Sequence, residues 1–186
     1  MQSFSKRAVN ALCMAAATLV TGFFAPAAIA QVQSDGVIVR NERVGAVNLG
    51  DTPAEVFSVL GQPSESRFLG PQEGVIWYCG GECSSSNYRG LSLNTWGPQN
   101  EVFRISVSTG DYATSEGVRV GISEMDVRMR LGNPSQRIWQ DWAAAGEWNL
   151  HYPGLLIAID QTGVTRIEIC QPRYQRRGRA GRLWCY

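Results

Sequence analysis

The chain has 186 residues with 17 basic and 16 acidic side chains, so its formal net charge at pH 7 is +1. The overall charge is informative only when it is divided along the chain, and we expect no nucleic-acid partner because the features described next predict export. The length allows one core of ordinary size or two small ones.

The first thirty residues have the features of a secretory signal peptide. A short basic start precedes an uncharged apolar run over residues 8–29, which ends at the small-x-small pattern of Ala28 and Ala30. A retained membrane helix is the alternative, because the run is nearly long enough to span a bilayer. The Ala-rich end favours cleavage. The sequence therefore predicts a signal peptide over 1–30, cleavage near Ala30-Gln31, and a periplasmic or secreted protein.

Two stretches seventy-one positions apart carry the same pattern: LGDTPAEVFSVLGQP at 49–63 and VGISEMDVRMRLGNP at 120–134. In each, a Thr or Ser precedes an acid by three positions, as in a capping box, and a Gly-x-Pro follows the apolar ridge. Each stretch therefore predicts one short helix. The equivalent cap and stop positions are Thr52, Glu55 and Gly61 in the first stretch and Ser123, Asp126 and Gly132 in the second.

Alternating strands are predicted after each helix, at 75–79, 91–96 and 102–107, and at 147–152, 155–160 and 164–169. Short connections predict antiparallel pairing throughout. Trp77 and Trp148 keep the seventy-one-residue offset and are predicted to be equivalent. The sequence thus predicts an α+β fold of two tandem helix plus three-stranded antiparallel meander repeats, in a shared or adjoining sheet. The repeats would cover 31–110 and 111–170, followed by an Arg-rich tail over 171–186.

The helix with its Gly-x-Pro end, followed by a Trp/Tyr strand and two hairpin strands, resembles the BamE/SmpA outer-membrane assembly lipoproteins. Its tandem duplication resembles the β-lactamase inhibitory protein fold (BLIP-like). The resemblance covers nearly all of 44–107 and 113–169. It implies a protein-binding surface, although fold alone does not establish function.

Four cysteines follow residue 30, namely Cys79, Cys83, Cys170 and Cys185. An even number in an exported chain predicts two disulfide bonds with three alternative connectivities, among which nearest-neighbour pairing is favoured because it closes local loops. A zinc site is the alternative. The fourteen residues between the last two cysteines, with no histidine nearby, argue against it. We expect no metal and no cofactor.

Catalytic motifs are absent from the sequence. His151 is the single histidine and is predicted to be an exposed residue on the polar face of a strand. Any triad or Cys–His dyad would have to use it. We predict no catalytic residue. The alternative is an envelope hydrolase that uses His151 or carboxylates such as Asp160 and Glu168.

Tryptophan and arginine dominate the energetic hot spots of protein interfaces. The candidate binding residues, on the outer sheet face and adjoining loops, are Trp96, Arg104, Trp139, Trp142, His151 and Arg166. The alternatives are a structural role for each tryptophan and cross-strand ion pairs for the two arginines. The sequence favours an exported protein-binding module that is not an enzyme, with a secreted enzyme inhibitor as its narrower form.

Charge is divided unevenly along the chain. Residues 31–170 have a net charge of −6, whereas the last sixteen residues have five arginines and no acid. These are Arg173, Arg176, Arg177, Arg179 and Arg182. The tail is therefore predicted to contact a polyanion, either anionic lipid or acidic polysaccharide. Docking onto the acidic body of the same chain is the alternative.

Overall fold

The computed structural model describes residues 35–80, 89–140 and 146–172. All of them lie in the second of the chain's two units, Gln31–Tyr186. The elements in chain order are β1 (Val37–Val39), β2 (Arg43–Val44), β3 (Val47–Asn48), α1 (Pro53–Leu60), β4 (Glu65–Gly70), β5 (Glu73–Cys79), β6 (Gly90–Trp96), β7 (Glu101–Val107), β8 (Ala113–Thr114), α2 (Glu124–Leu131), β9 (Gln136–Gln140), β10 (Glu147–Tyr152), β11 (Leu155–Asp160) and β12 (Gly163–Cys170).

Both predicted helices are confirmed, and each begins with a complete capping box. The Thr52 side chain accepts from the Glu55 amide, and the Glu55 carboxylate accepts from the Thr52 amide at 2.7 Å. Ser123 and Asp126 make the same exchange at the start of α2. Each helix is followed by a glycine with a φ of 77°, a conformation that favours glycine. Within the described ranges, neither helix is long and apolar enough to cross a membrane.

The eight longer strands form one antiparallel sheet in the order β4-β5-β6-β7-β12-β11-β10-β9. The first four strands come from one half of the chain and the last four from the other. Pairing of β7 with β12 joins the halves, with Ile105 opposite Ile169 and Val107 opposite Ile167. Whether the halves share a sheet was open in the sequence, and this pairing decides that they do.

The predicted α+β class, with two helix plus three-stranded meander repeats, is wrong. The protein is mostly β, with an eight-stranded and a four-stranded sheet and two eight-residue helices among the described residues. Four strands of the large sheet follow each helix, one more than the three predicted, because the sequence shows no sign of β4 and β9. Both are edge strands with almost no buried side chain, so they lack the alternation by which a half-buried strand is recognised.

Pairing is not antiparallel throughout, contrary to the prediction. The small sheet has the order β3-β2-β1-β8, and β1 pairs with β8 in parallel, with Val37 opposite Ala113. These two strands come from different halves of the chain. The argument from short connections therefore does not apply to them.

Within the described part of the chain, one hydrophobic core lies against one face of the large sheet. Val56 of α1 and Val127 of α2 are fully buried in it. Alternate sheet residues meet them, including Leu93, Ile105, Leu150, Ile157 and Ile167, and the small sheet adds Ile38, Val44 and Val47. Each such side chain contributes about 1.5–3 kcal/mol relative to exposure. The core thus secures the sheet, whose opposite side is called the outer face below.

The predicted equivalence of Trp77 and Trp148 is also wrong. The Ser64 amide after α1 donates to the Trp77 carbonyl at 2.9 Å, whereas the Ser135 amide after α2 donates to the His151 carbonyl at 2.8 Å. His151 therefore matches Trp77. The connection from β9 to β10 is longer than the turn from β4 to β5, and this difference shifts the later positions along the chain.

Candidate functional site

Ion pairs cross the middle of the outer face. Arg104 of β7 and Arg166 of β12 flank Glu168, at 3.7 Å and 2.6 Å from its carboxylate. Arg166 also reaches Glu147 of β10 at 2.8 Å, and the Arg104 Nε donates to Asn94 Oδ1 at 2.9 Å. The alternative reading of the two arginines as cross-strand ion pairs is therefore the one that the structure contains.

These charges are mostly shielded from solvent. Glu147 and Glu168 are buried, and the side chains of Arg104 and Arg166 are each about one-fifth exposed. Burial alone would raise the pKa of Glu168, but the neighbouring Arg104 and Arg166 outweigh it and hold this pKa below its usual value. Removing one member of such a network leaves an uncompensated charge. The two arginines therefore stabilise buried carboxylates within the sheet.

His151 lies on the same face and is buried, with 2% of its surface exposed. It stands opposite Leu156 of β11 and Gln136 of β9. Burial lowers its pKa to about 4, although the nearby Glu168 carboxylate opposes the shift. The prediction of an exposed strand histidine is therefore wrong, and the imidazole is neutral at pH 7.

Trp139 is exposed, unlike the other predicted binding residues that the structure describes. It lies on edge strand β9 and retains 48% of its exposure. Its ring meets Trp148 of β10 edge to face, with centroids 5.0 Å apart, and the Arg137 guanidinium carbon lies 3.9 Å from the Trp148 centroid. A methyl group at Gly146 would clash with the Trp139 ring. We call Arg137, Trp139, Gly146 and Trp148 the tryptophan corner.

The tryptophan corner is tied to α2. Arg137 pairs with Glu124 at 3.1 Å, and the same carboxylate group binds Arg128 at 2.7 Å. On the same helix, Met125 and Met129 are each 71% exposed. Sequence reasoning missed Arg137 and treated Trp148 only as the equivalent of Trp77. The signal was present, because alternation along a strand places Arg137 on the same face as Trp139.

A groove with a volume of about 570 Å³ opens at the end of β5, beyond the last turn of α1. Its lining residues are Leu60, Ser64, Tyr78, Cys79, Gly80, Arg89, Gly90, Leu91, Thr109, Asp111 and Tyr112. None of its polar side chains was a candidate in the sequence. The available signal was the connection from Gly80 to Gly90, which has no counterpart of this length between β10 and β11.

The remaining predicted residues are dispersed. Trp96 is half-buried at the end of β6, opposite Glu101. Cys79 and Cys170 take part in disulfide bonds. Trp142, Cys83 and Cys185 lie outside the described residues, as do the signal peptide and the tail arginines Arg173, Arg176, Arg177, Arg179 and Arg182. The predicted disulfide pairing and the tail contact stay predictions.

The described residues offer few arrangements suited to catalysis or to metal binding. Asp160 stands opposite Gly163 and Glu168 opposite Leu156, so these two carboxylates do not meet across β11 and β12. The Ser135 hydroxyl donates to the His151 backbone carbonyl at 2.9 Å. Among the residues that the structure describes, no group of three or more His, Cys, Asp or Glu is placed to hold a metal ion.

No protein-family model matches the chain, and no curated protein matches it. Among solved structures it is similar to an extracellular protein containing an SCP domain from Bacillus anthracis str. Ames, with 9% identity over 67% of this chain and 44% of that chain and a TM-score of 0.44. A DUF4309 family protein from Bacillus subtilis subsp. subtilis str. 168 matches with 13% identity over 64% of this chain and 78% of that one, at a TM-score of 0.42.

The chain thus spans less than half the length of the SCP-domain protein. Similarity at these TM-scores carries no argument about function. Neither structure is described as a BamE/SmpA lipoprotein or a β-lactamase inhibitory protein, so that resemblance, with its tandem duplication, stays a prediction.

Proposed function

We propose that the protein is an exported binding module that recognises a protein partner through the tryptophan corner, and that it is not an enzyme. The observation that carries this proposal is the half-exposed ring of Trp139 on edge strand β9. This ring is held in place by contacts with Trp148 and Gly146. A rigid aromatic side chain contributes a large contact area at little entropic cost. Arg137, which lies over the neighbouring Trp148 ring, adds a second residue type that is frequent in interface hot spots.

The proposed surface differs from the one that the sequence indicated. Arg104 and Arg166 are occupied by the carboxylates of Glu168 and Glu147, and His151 is buried. A partner on the outer face would have to break these ion pairs at a large cost. Trp139 needs no such rearrangement, so it takes the place of the outer face in the proposal.

The hydrolase alternative has weaker support in the described residues. His151 is shielded from any substrate, Asp160 and Glu168 stand apart, and both described cysteines are in disulfide bonds. Nothing in this arrangement provides an accessible nucleophile beside a base. An enzyme inhibitor fits the binding proposal as one form of it.

Photo-cross-linking in intact cells tests the proposal, with a photoreactive phenylalanine placed at position 139. A second chain carries the same group at Phe68, a matched control because Phe68 is 59% exposed on β4, the opposite edge strand. We expect a discrete adduct from position 139 that is absent from position 68. Equal labelling from both positions, or none from 139, would contradict the tryptophan corner.

The captured protein is then purified and its binding to the mature chain is measured. We expect Trp139→Ala to weaken the affinity about thirtyfold, as for a hot-spot residue. Phe68→Ala should leave the affinity unchanged. An unaltered dissociation constant for Trp139→Ala would show that the adduct came from proximity alone.

Export is a separate part of the proposal and has its own measurement. The mature chain is expected to begin at Gln31, which the intact mass of protein from the periplasm or the culture medium would establish. Retention of the first thirty residues in a membrane fraction would favour the membrane-helix alternative.

A further inference from the structure

We propose that the groove beside Tyr78 binds a small zwitterion with an apolar body, such as a free amino acid or a short peptide, and that Arg89 and Asp111 recognise its two charges. This site is distinct from the tryptophan corner. The groove volume of about 570 Å³ is within the range of pockets that take small molecules.

The two halves of the chain differ at the place where the groove lies. The Tyr78 hydroxyl donates to the Gly61 carbonyl after α1, and the Tyr152 hydroxyl donates to the Gly132 carbonyl after α2. After Tyr152 the chain turns at once through Gly154, where an added methyl group would clash with the Asn41 side chain. In that half, the Asn41 side chain fills the space beside the turn.

After Tyr78 the arrangement is open. Among the described residues, none lies within 4 Å of a methyl group added at Gly80. The amide of Gly90 donates to the Ser108 hydroxyl, and Thr109, Asp111 and Tyr112 also line the groove. Among the described residues, the packing that Asn41 completes beside Gly154 has no counterpart beside Gly80, and a lined open space of this kind can take a ligand.

The polar lining carries one charge of each sign. Arg89 is exposed, and within the described ranges its guanidinium group makes no ion pair. Asp111 is also exposed and accepts a hydrogen bond from the Thr109 hydroxyl at 2.6 Å, which orients its carboxylate. A guanidinium group binds a carboxylate in a bidentate manner, and a carboxylate accepts from an ammonium group.

The other lining side chains include apolar and aromatic ones. Leu60, Leu91 and Tyr112 line the groove together with Tyr78, whose hydroxyl is already used by Gly61. Burial raises the pKa of Tyr78 to about 12, so this phenol stays neutral and offers its ring. Opposite charges at the edge of an apolar lining suit a ligand that carries both charges on an apolar body.

The test uses the mature chain and the dipeptide alanyl-phenylalanine, followed by calorimetry and by NMR of the backbone amides. Two blocked peptides, one amidated at the carboxyl end and one acetylated at the amino end, each remove one charge without any change to the protein. Arg89→Ala and Asp111→Asn remove the matching protein charges. Both side chains are exposed, so both variants are expected to fold.

We expect saturable binding of the free dipeptide and a loss of about tenfold or more with each blocked peptide and each variant. The matched control is Arg67→Ala, which removes an exposed arginine of β4 outside the groove and should leave binding unchanged. Absence of saturation up to ~10 mM peptide would overturn the proposal. Binding that needs Arg89 but neither Asp111 nor the free amino group would overturn it too, because a simple carboxylate would then suffice.

Discussion

The Tyr78 hydroxyl donates to the carbonyl oxygen of Gly61 at 2.9 Å and ties β5 to the end of α1. Tyr152 makes the same bond to Gly132 at 3.1 Å and ties β10 to α2. Burial raises the pKa of both phenols, that of Tyr78 to about 12, so each remains a protonated donor at neutral pH. The carbonyl at the end of each helix thereby obtains a partner from the sheet.

Tyr78→Phe and Tyr152→Phe should each lower the free energy of unfolding by about 1 kcal/mol, because each leaves a carbonyl without its donor. The two sites are in different halves, so the double variant should lose about 2 kcal/mol. Urea denaturation followed by circular dichroism measures these values. Tyr112→Phe is the control and should change stability by less than about 0.5 kcal/mol. Unchanged stability in both single variants would contradict a structural role for these bonds.

Stability should fall as the pH decreases from about 6.5 to about 4. The pKa of His151 is lowered to about 4 in the folded protein, so in this window the unfolded chain binds a proton that the folded chain does not. The loss should be on the order of 3 kcal/mol at full extent. The neighbouring Glu168 titrates below its usual range, which separates its effect from that of the histidine.

Denaturant midpoints measured at pH 7, 5.5 and 4.5 check this dependence. His151 is the single histidine of the chain, so His151→Gln should flatten the profile even if the variant is less stable at every pH. A slope that persists in His151→Gln would assign the effect to the carboxylates.

Arg166→Met should destabilise the protein by about 3 kcal/mol, because it leaves Glu147 and Glu168 buried without their shared partner. Replacing both carboxylates by amides in the same chain should restore part of the loss. The control is Arg67→Met, whose exposed pair with Glu65 at 3.4 Å should be worth less than about 0.5 kcal/mol. Thermal and urea unfolding compare the variants. Equal effects of the two arginines would show that burial of the network does not matter.

Peptide mapping without reduction should recover Cys79 linked to Cys83 and Cys170 linked to Cys185. The structure places Cys79 and Cys170 in disulfide bonds, and nearest-neighbour pairing is the connectivity that the sequence favours. Closing the loop from Cys170 should stabilise the fold by roughly 3 kcal/mol, measurable as the stability lost in a Cys170→Ala, Cys185→Ala variant. A peptide that joins the two halves of the chain would refute the pairing.

A chain that ends at Gln171, with Cys170 replaced by alanine, should lose binding to vesicles that contain an anionic lipid. Each tail arginine near such a surface contributes on the order of 1 kcal/mol, and added salt should weaken the binding of the full chain. The full-length Cys170→Ala, Cys185→Ala variant is the control for the lost disulfide. Unchanged vesicle binding together with a lower melting temperature would favour docking of the tail onto the acidic body.

Both helices and six of the eight strands of the large sheet could be read from the sequence, with ends within two residues of those observed. Their signals are local. A capping box such as Thr52 with Glu55 uses residues three apart, and alternation in a half-buried strand uses neighbouring side chains. Trp139 was found as an exposed anchor because its residue type is informative without a structure.

The sequence by itself thus determined the helices with their caps and stops, the inner strands of the large sheet and the apolar face that they share. Only the tertiary structure decided the strand order, the parallel pairing of β1 with β8, the edge strands β4 and β9, and the burial of His151. These features depend on contacts between residues that are distant in sequence. They also depend on strand register, which a longer connection shifts without changing the local sequence pattern. For the same reason the matching of His151 with Trp77, and the groove that closes beside Tyr152 but opens beside Tyr78, could be recognised only in three dimensions.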